Sequence, residues 1–152
     1  MNIRFVKLQS GASDHLVVNA VDVPARHWAG LARTLCQPTR GAGADVLIGV
    51  GHTGQGRFDL SCLGGDGVTV PATVWTAAAA AVAIRRRYGY QAVRLRADHL
   101  AFEVSVAGQE VRVHLGGHQS APDHPDGWRI TVRYAFDGEI AHHAPASDLF
   151  AD

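Results

Sequence analysis

The side chains of this chain that could do chemistry are nine histidines, two cysteines and a scatter of aspartates, serines and threonines. Metal ligation needs several donors on one face. His114 and His118 are four apart, but a strand-to-loop context does not place them together, and His142-His143 stand alone near the end. There is no HxH or HExxH pattern, so no metal and no other cofactor is expected. Cys36 and Cys62 fit neither a zinc spacing nor a disulfide framework. A Ser-His-Asp grouping is spatial and stays open, although no GxSxG nucleophile elbow is present. Gly51-His52-Thr53-Gly54-Gln55-Gly56 is glycine-rich, but neither a Lys-Ser/Thr pair nor a helix start follows it. It reads as a hairpin tip and not as a phosphate cradle.

The elements that must position these residues follow from periodicity and breakers. Strands are expected at Ile3–Leu8 and His15–Ala20, forming an opening hairpin. Pro24 opens a short helix through Cys36, with Trp28, Leu31, Ala32 and Leu35 at helical spacing, and Pro38 stops it. Strands at Val46–Val50 and Arg57–Leu63 flank the glycine-rich tip, and Gly64–Gly67 is a turn. A long helix is expected from Pro71 to Tyr88, with Thr69 as its cap and Gly89 ending it. It is about 27 Å long at about 1.5 Å per residue. From Val74 to Ile84 it is apolar on nearly every side, which implies burial all round, and its alanines let strands approach closely. Further strands are expected at Tyr90–Arg96, Leu100–Val106, Glu110–Leu115 and Trp128–Phe136. Ala107-Gly108 makes a hairpin turn, His118–Gly127 a polar loop, and the tail from about 137 is irregular. The fold class is α+β: one domain over residues 1–152, a mostly antiparallel curled sheet around a long central helix.

Composition narrows the function classes. The chain has 152 residues, 47% hydrophobic and 18% charged, which is enough for one core without staples. Acidic and basic residues balance at 14 each, so there is no electrostatic footprint for nucleic acid or an anionic membrane. The one basic cluster, Arg85-Arg86-Arg87, falls at a helix C-terminus, where cations complement the dipole. No apolar run reaches the roughly 20 residues of a membrane span, and the N-terminus lacks a signal-peptide layout. A soluble, cytoplasmic protein is expected.

Three segments in order are more specific. Phe5-Val6-Lys7 leads through Gly11 and Asp14 to Val17-Val18. Leu35-Cys36 is followed by Gly41-Ala42-Gly43-Ala44-Asp45 and an apolar strand. Asp66-Gly67 stands shortly before the buried helix. In this order and spacing they resemble the N-terminal half of diaminopimelate epimerase and its relatives, whose patterns run FxKxxGxGNDFVV, LCxxxxGIGADG and NADGSxxxxCGNG. The resemblance covers about residues 1 to 118. It implies a sheet curled around a central helix, the substrate lying between two such units. In that family two cysteines, one at the N-terminus of each central helix, act as base and acid on an amino-acid α-carbon without a cofactor.

The departures fall together. Counting from Asp66-Gly67, the catalytic cysteine falls on Thr73 and the Gly-Asn-Gly after it on Val74-Trp75-Thr76. The Asn of the family's NADG is Gly64 here, the Asn of the first motif is Ser13, and the aromatic after Asp14 is His15. A threonine hydroxyl has no pKa near neutrality and cannot replace a thiolate. Cys36 matches a family cysteine outside the thiol pair. The resemblance thus implies catalytic candidates Thr73, Asp66 and His15, and substrate-binding candidates Ser13, Asp14, Val74, Trp75 and Thr76. Taken singly, Asp66 also suits a turn, Asp14 a strand-end cap and Thr73 a first-turn cap.

The functional expectation is a cofactor-independent cyclase or isomerase of specialised metabolism. It acts on a relatively apolar small molecule, in a cleft formed by a homodimer that replaces the family's second unit. Proximity and orientation alone can supply roughly 7–11 kcal/mol of such a barrier. A thiol-pair amino-acid epimerase is not expected. The alternative is a non-catalytic small-molecule-binding or partner module, in which Trp75 is core.

Overall fold

The computed structural model describes residues 2–10, 13–38, 41, 43–108, 110–116, 128–133 and 142–145. Strands β1 (Asn2–Ser10) and β2 (Ser13–Asn19) form the opening hairpin, with Phe5 opposite Val18 and Leu8 opposite His15. Two short 3-10 turns, Ala20–Asp22 and Ala25–His27, then lead into α1 (Trp28–Leu35). The helix expected from Pro24 thus begins four residues later. β3 (Val46–Gly54) and β4 (Arg57–Gly64) make a hairpin whose tip is Gln55-Gly56, with Gly56 at φ 66°. After a loop comes α2 (Val74–Tyr88), then β5 (Ala92–Ala97), β6 (Leu100–Ala107) and β7 (Glu110–Gly116). The turn between β6 and β7 places Gly108 at φ 61°. Two further strands are β8 (Trp128–Arg133) and β9 (His142–Pro145).

These strands form one mixed sheet in the order β8-β7-β6-β5-β4-β3-β2-β1-β9. The expectation of a mostly antiparallel sheet needs amending at two joints. β2 pairs with β3 in parallel, and so does β4 with β5. Parallel neighbours cannot be joined by a tight turn. The crossovers contain α1 and α2. β9 lies on the edge of β1, within a stretch read from sequence as irregular. The polar loop expected at His118–Gly127, and the rest of the tail, fall outside the described residues.

The sheet curls. α2 packs against β1, β2, β3, β5, β6 and β7. In a flat sheet, strands about 4.8 Å apart would put β1 and β7 about 29 Å from each other, far beyond the reach of one helix about 10 Å wide. Alternation along each strand separates two layers. Phe58, Leu60 and Cys62, with Val93, Leu95, Phe102, Val104, Val111 and Val113, face α2. Ile3, Phe5, Leu16, Val18, Leu47 and Leu63 face the other way and are covered by Leu31, Ala32 and Leu35 of α1. The alanines Ala77–Ala81 of α2 are all buried, so the strands close onto the helix backbone itself.

α2 starts at Val74 and not at Pro71. The preceding residues are still following β4: Val70 N–H donates to the Cys62 carbonyl (3.0 Å), and Thr69 bridges to Leu63. Thr73 is the cap, not Thr69. At the far end Gly89 takes the left-handed conformation, φ 80°, that a side chain would disfavour. On the α1 face, Gly49 is required for a different reason. A Cβ there would sit 1.5 Å from the Trp28 ring, whose indole N–H donates to the Val23 carbonyl (3.1 Å).

Candidate active site

One end of the sheet collects most of the residues of interest. It comprises the start of β2, the start of β3, the end of β4 with its following loop, and the N-terminus of α2. The register ties them: His15 is opposite Val46, and Val46 is opposite Gly64, so three strands present one lateral row at this end.

Thr73 and Thr76 form a capping box. Thr76 N–H donates to Thr73 Oγ1 (3.3 Å), and Thr73 N–H donates to Thr76 Oγ1 (2.7 Å). The Thr76 hydroxyl also donates to the Thr73 carbonyl (2.9 Å). Four N–H groups at a helix start have no intrahelical partner. The box satisfies two, leaving those of Val74 and Trp75. Thr73 is exposed and its Oγ1 accepts only one bond, so its hydroxyl proton is available. Thr76 is buried and fully engaged within the box; it also hydrogen-bonds the Cys62 thiol. Val74 is buried, whereas Trp75 is 44% exposed. A helix read as apolar all round therefore opens to solvent at its second residue. Val68, on the loop leading to α2, is also exposed.

Asp66 does the work of a turn. Its Oδ1 accepts from Val68 N–H (3.0 Å) within the loop closed by Gly67 N–H to the Gly64 carbonyl (2.9 Å). Gly67 sits at φ 82°, and a Cβ there would press on the Ala29 carbonyl and the Arg33 side chain. That approach ties the loop to α1.

Ser13, Asp14 and His15 open β2. Asp14 N–H donates to Asp45 Oδ2 and Asp45 N–H to the Asp14 carbonyl, both at 2.9 Å, so Asp45 locks the starts of β2 and β3 together. The Asp14 carboxylate lies 3.8 Å from Lys7 Nζ. Ser13 is half-buried opposite Ser10. His15 alternates with the outward Asp14 and so points to the α2 side, beside Leu8. It is 2% exposed, and its Nδ1 is buried with no hydrogen-bond partner among the described residues. Burial holds the imidazole below its ordinary pKa; the nearby Asp45 and Asp14 charges oppose this without overcoming it. An orphaned buried nitrogen on a neutral imidazole is the least explained polar group described here.

Sequence reasoning named Asp45 only as part of a motif, and its locking role follows from the parallel β2–β3 pairing. The contact between Cys62 and Thr76 carried no sequence signal. Both thiols are chemically quiet. Burial pushes Cys62 up to about 11, partly offset by the Thr76 hydrogen bond, with Asp98 adding to the rise; burial, with Asp45, takes Cys36 to about 11. A cavity of about 150 Å³ lies beside the α2 start, lined by Cys62, Val70, Ala72 and Asp98 among others, but not by Thr73 or Trp75. It is smaller than the roughly 300–1,000 Å³ of usual ligand pockets. Among the described residues no group of three or more His, Cys, Asp or Glu could hold a metal ion, and no helix is long and apolar enough to cross a membrane.

No family model and no curated protein matches the chain. Solved structures do. A phenazine biosynthesis protein of the PhzF family from Enterococcus faecalis superposes with a TM-score of 0.59 at 8% identity, over 75% of this chain and 44% of its own. A predicted epimerase from Pseudomonas aeruginosa gives 0.58 at 14% identity, over 74% and 42%. A methylitaconate-delta-isomerase gives 0.51 at 17% identity, over 89% and 40%. The chain spans less than half the length of each of these neighbours. At such identities the likeness shows the fold: a curled mixed sheet of the kind found in PhzF-like proteins, which share the diaminopimelate epimerase-like fold.

Proposed function

We propose that this chain forms one wall of the active site of a cofactor-independent isomerase, acting on a relatively apolar small molecule that carries an oxyanion. The observation that carries the reading is the first turn of α2. It combines two N–H groups free of intrahelical partners, an exposed Trp75, and no thiol. An isomerisation of this type removes a proton from one carbon and returns one at another, so atoms balance without a redox partner. His15 lies buried behind this face, and burial favours its neutral, basic form; as the base it would need local opening to reach a substrate. Thr73 contributes a hydroxyl proton for positioning and is not itself the base. Asp66 shapes the loop, Ser13 and Asp14 border the site, and Val74 and Thr76 hold the turn rigid. A ring closure in specialised metabolism is compatible with the same groups.

The opposite wall is a second copy of this chain. Supporting this is the exposed apolar ring of Trp75 at the second residue of α2. Light scattering at micromolar concentration is expected to give a dimer that Trp75→Glu dissociates; a monomer overturns the arrangement. For the chemistry, the chain is incubated in heavy water with a panel of unsaturated and aryl-substituted carboxylic acids, and deuterium incorporation is read by NMR. Incorporation lost in His15→Gln and retained in Thr73→Ser supports an isomerase. A second reading, a binding module without turnover, is favoured by the local commitment of Thr73 Oγ1 and Asp66 Oδ1 to cap and turn. Saturable binding of a panel member without deuterium incorporation would establish that reading and overturn the first.

A further inference from the structure

Opposite α2, the outer face of β5, β6 and β7 carries no helix among the described residues. α1 covers only the β1–β4 side of that face. The uncovered part borders the short β4–β5 joint, which pairs at Arg57–Arg94, Phe58–Leu95 and Asp59–Arg96. Here lies a groove of about 830 Å³, lined among others by Arg57, Arg94, Glu103, Ser105, Arg112 and His114. This lies within the range of small-molecule sites.

Its charges are arranged unusually. The register sets Arg57 beside Arg94, then Glu103, then His114, in one lateral row. Opposite charges two residues along, Asp59 beside Arg96, are what adjacent strands favour; like charges directly opposite destabilise a sheet. Glu103 relieves little of this. Its carboxylate is 3.7 Å from Arg94 Nε and 3.8 Å from His114 Nδ1, and all three side chains are substantially exposed. Arg112 has only Glu110 at 3.5 Å, and Arg57 has no ion-pair partner among the described residues. The groove thus holds two neighbouring guanidinium groups with unspent bidentate capacity, a third on β7 two strands from Arg94, and one carboxylate.

We propose that this groove binds a small molecule through an oxyanion group, phosphate or carboxylate, bridging Arg57 and Arg94. Glu103 and Ser105 take a hydroxyl or amine of the same ligand, and Arg112 lines the groove from β7. The site is independent of the α2 end and of the activity proposed there.

The test is calorimetric titration of the full chain at low salt with inorganic pyrophosphate, orthophosphate and citrate. Saturable binding is expected, and the preferred ion tells phosphate from carboxylate. Arg57→Gln and Arg94→Gln should each weaken it at least about tenfold, in line with losing a charge-assisted hydrogen bond. Arg85→Gln, at the end of α2, should leave it unchanged. Thermal unfolding adds a second readout. The best ion should raise Tm of the parent chain and not of Arg57→Gln, while ligand-free Arg57→Gln should unfold no lower than the parent because it removes the like-charge pair. Absence of heat and of any Tm shift at millimolar concentrations overturns the proposal. So does binding that survives both arginine substitutions, or binding confined to nucleic acid or acidic polypeptides.

Discussion

His15 offers a direct test of the physics assigned to the α2 end. Its imidazole is 2% exposed, its Nδ1 has no hydrogen-bond partner among the described residues, and its pKa is held below the ordinary 6.5 by burial. The sign follows from proton counting. Below the ordinary value the unfolded chain takes up a proton at His15 that the folded chain refuses. Stability contributed by this group is therefore full above that pH and falls as the solution is acidified through it. Acidification from about pH 7.5 to about pH 5.5 therefore costs stability at this group, on the order of 1 kcal/mol at most. The perturbation is His15→Leu, assayed by urea unfolding at both pH values. The two chains differ only at position 15, so the difference between their pH dependences isolates His15. The parent should lose more stability than the variant on acidification, by on the order of 1 kcal/mol at most. At neutral pH the variant should match or exceed the parent, because an unsatisfied buried nitrogen costs about 1–3 kcal/mol. Equal pH dependence in the two chains would refute the buried neutral imidazole. A variant losing more than about 2 kcal/mol at neutral pH would show that the nitrogen is satisfied after all.

Other substitutions probe the frame around that site. Thr73→Ala should cost about 1 kcal/mol in chemical denaturation through loss of the cap, and Thr73→Ser should restore most of it. Gly49→Ala should cost at least about 1–3 kcal/mol, since the new methyl meets the Trp28 ring at 1.5 Å, and Trp28 fluorescence should shift as the ring is displaced. Cys36 and Cys62, with thiols near 11 and both buried, should resist aromatic disulfide reagents in the native chain and react fully in denaturant. Rapid labelling of either under native conditions would contradict the packing described here.

What could be read from residues alone was whatever depends on near neighbours. Gly56, Gly89 and Gly108 mark backbone that goes left-handed; Gly89 and Gly108 follow elements that end close to where expected, whereas β3 runs past its expected end at Val50 to Gly54, leaving Gln55-Gly56 as the tip. The alternation in β5 and β6 separates inward valines and leucines from outward charges, and the alanines of α2 announce close packing. The order of three weak motifs pointed to a fold that the comparison with solved structures supports at the level of architecture. Competition between local signals was harder. Thr69, Pro71 and Thr73 are all good helix-start residues. Thr73 caps because the chain before it still hydrogen-bonds along β4, a constraint between residues eight apart that no propensity carries.

The rest was decided by tertiary structure, because it depends on which strands become neighbours and which way a face points. His15 is an ordinary strand residue until β2 aligns with β3 and α2 closes over it; only then does its nitrogen lose water without gaining a partner among the described residues. Trp75 looks like core in an apolar helix, but at the second residue of α2 it stays 44% exposed. Arg57 and Arg94 are 37 positions apart in sequence and become side-by-side charges only through the parallel β4–β5 pairing. Residue types and their order were enough for a curled sheet with a buried alanine-rich helix and for the missing thiol at Thr73. Long-range pairing, which no local preference encodes, decided where that helix opens and which charges meet.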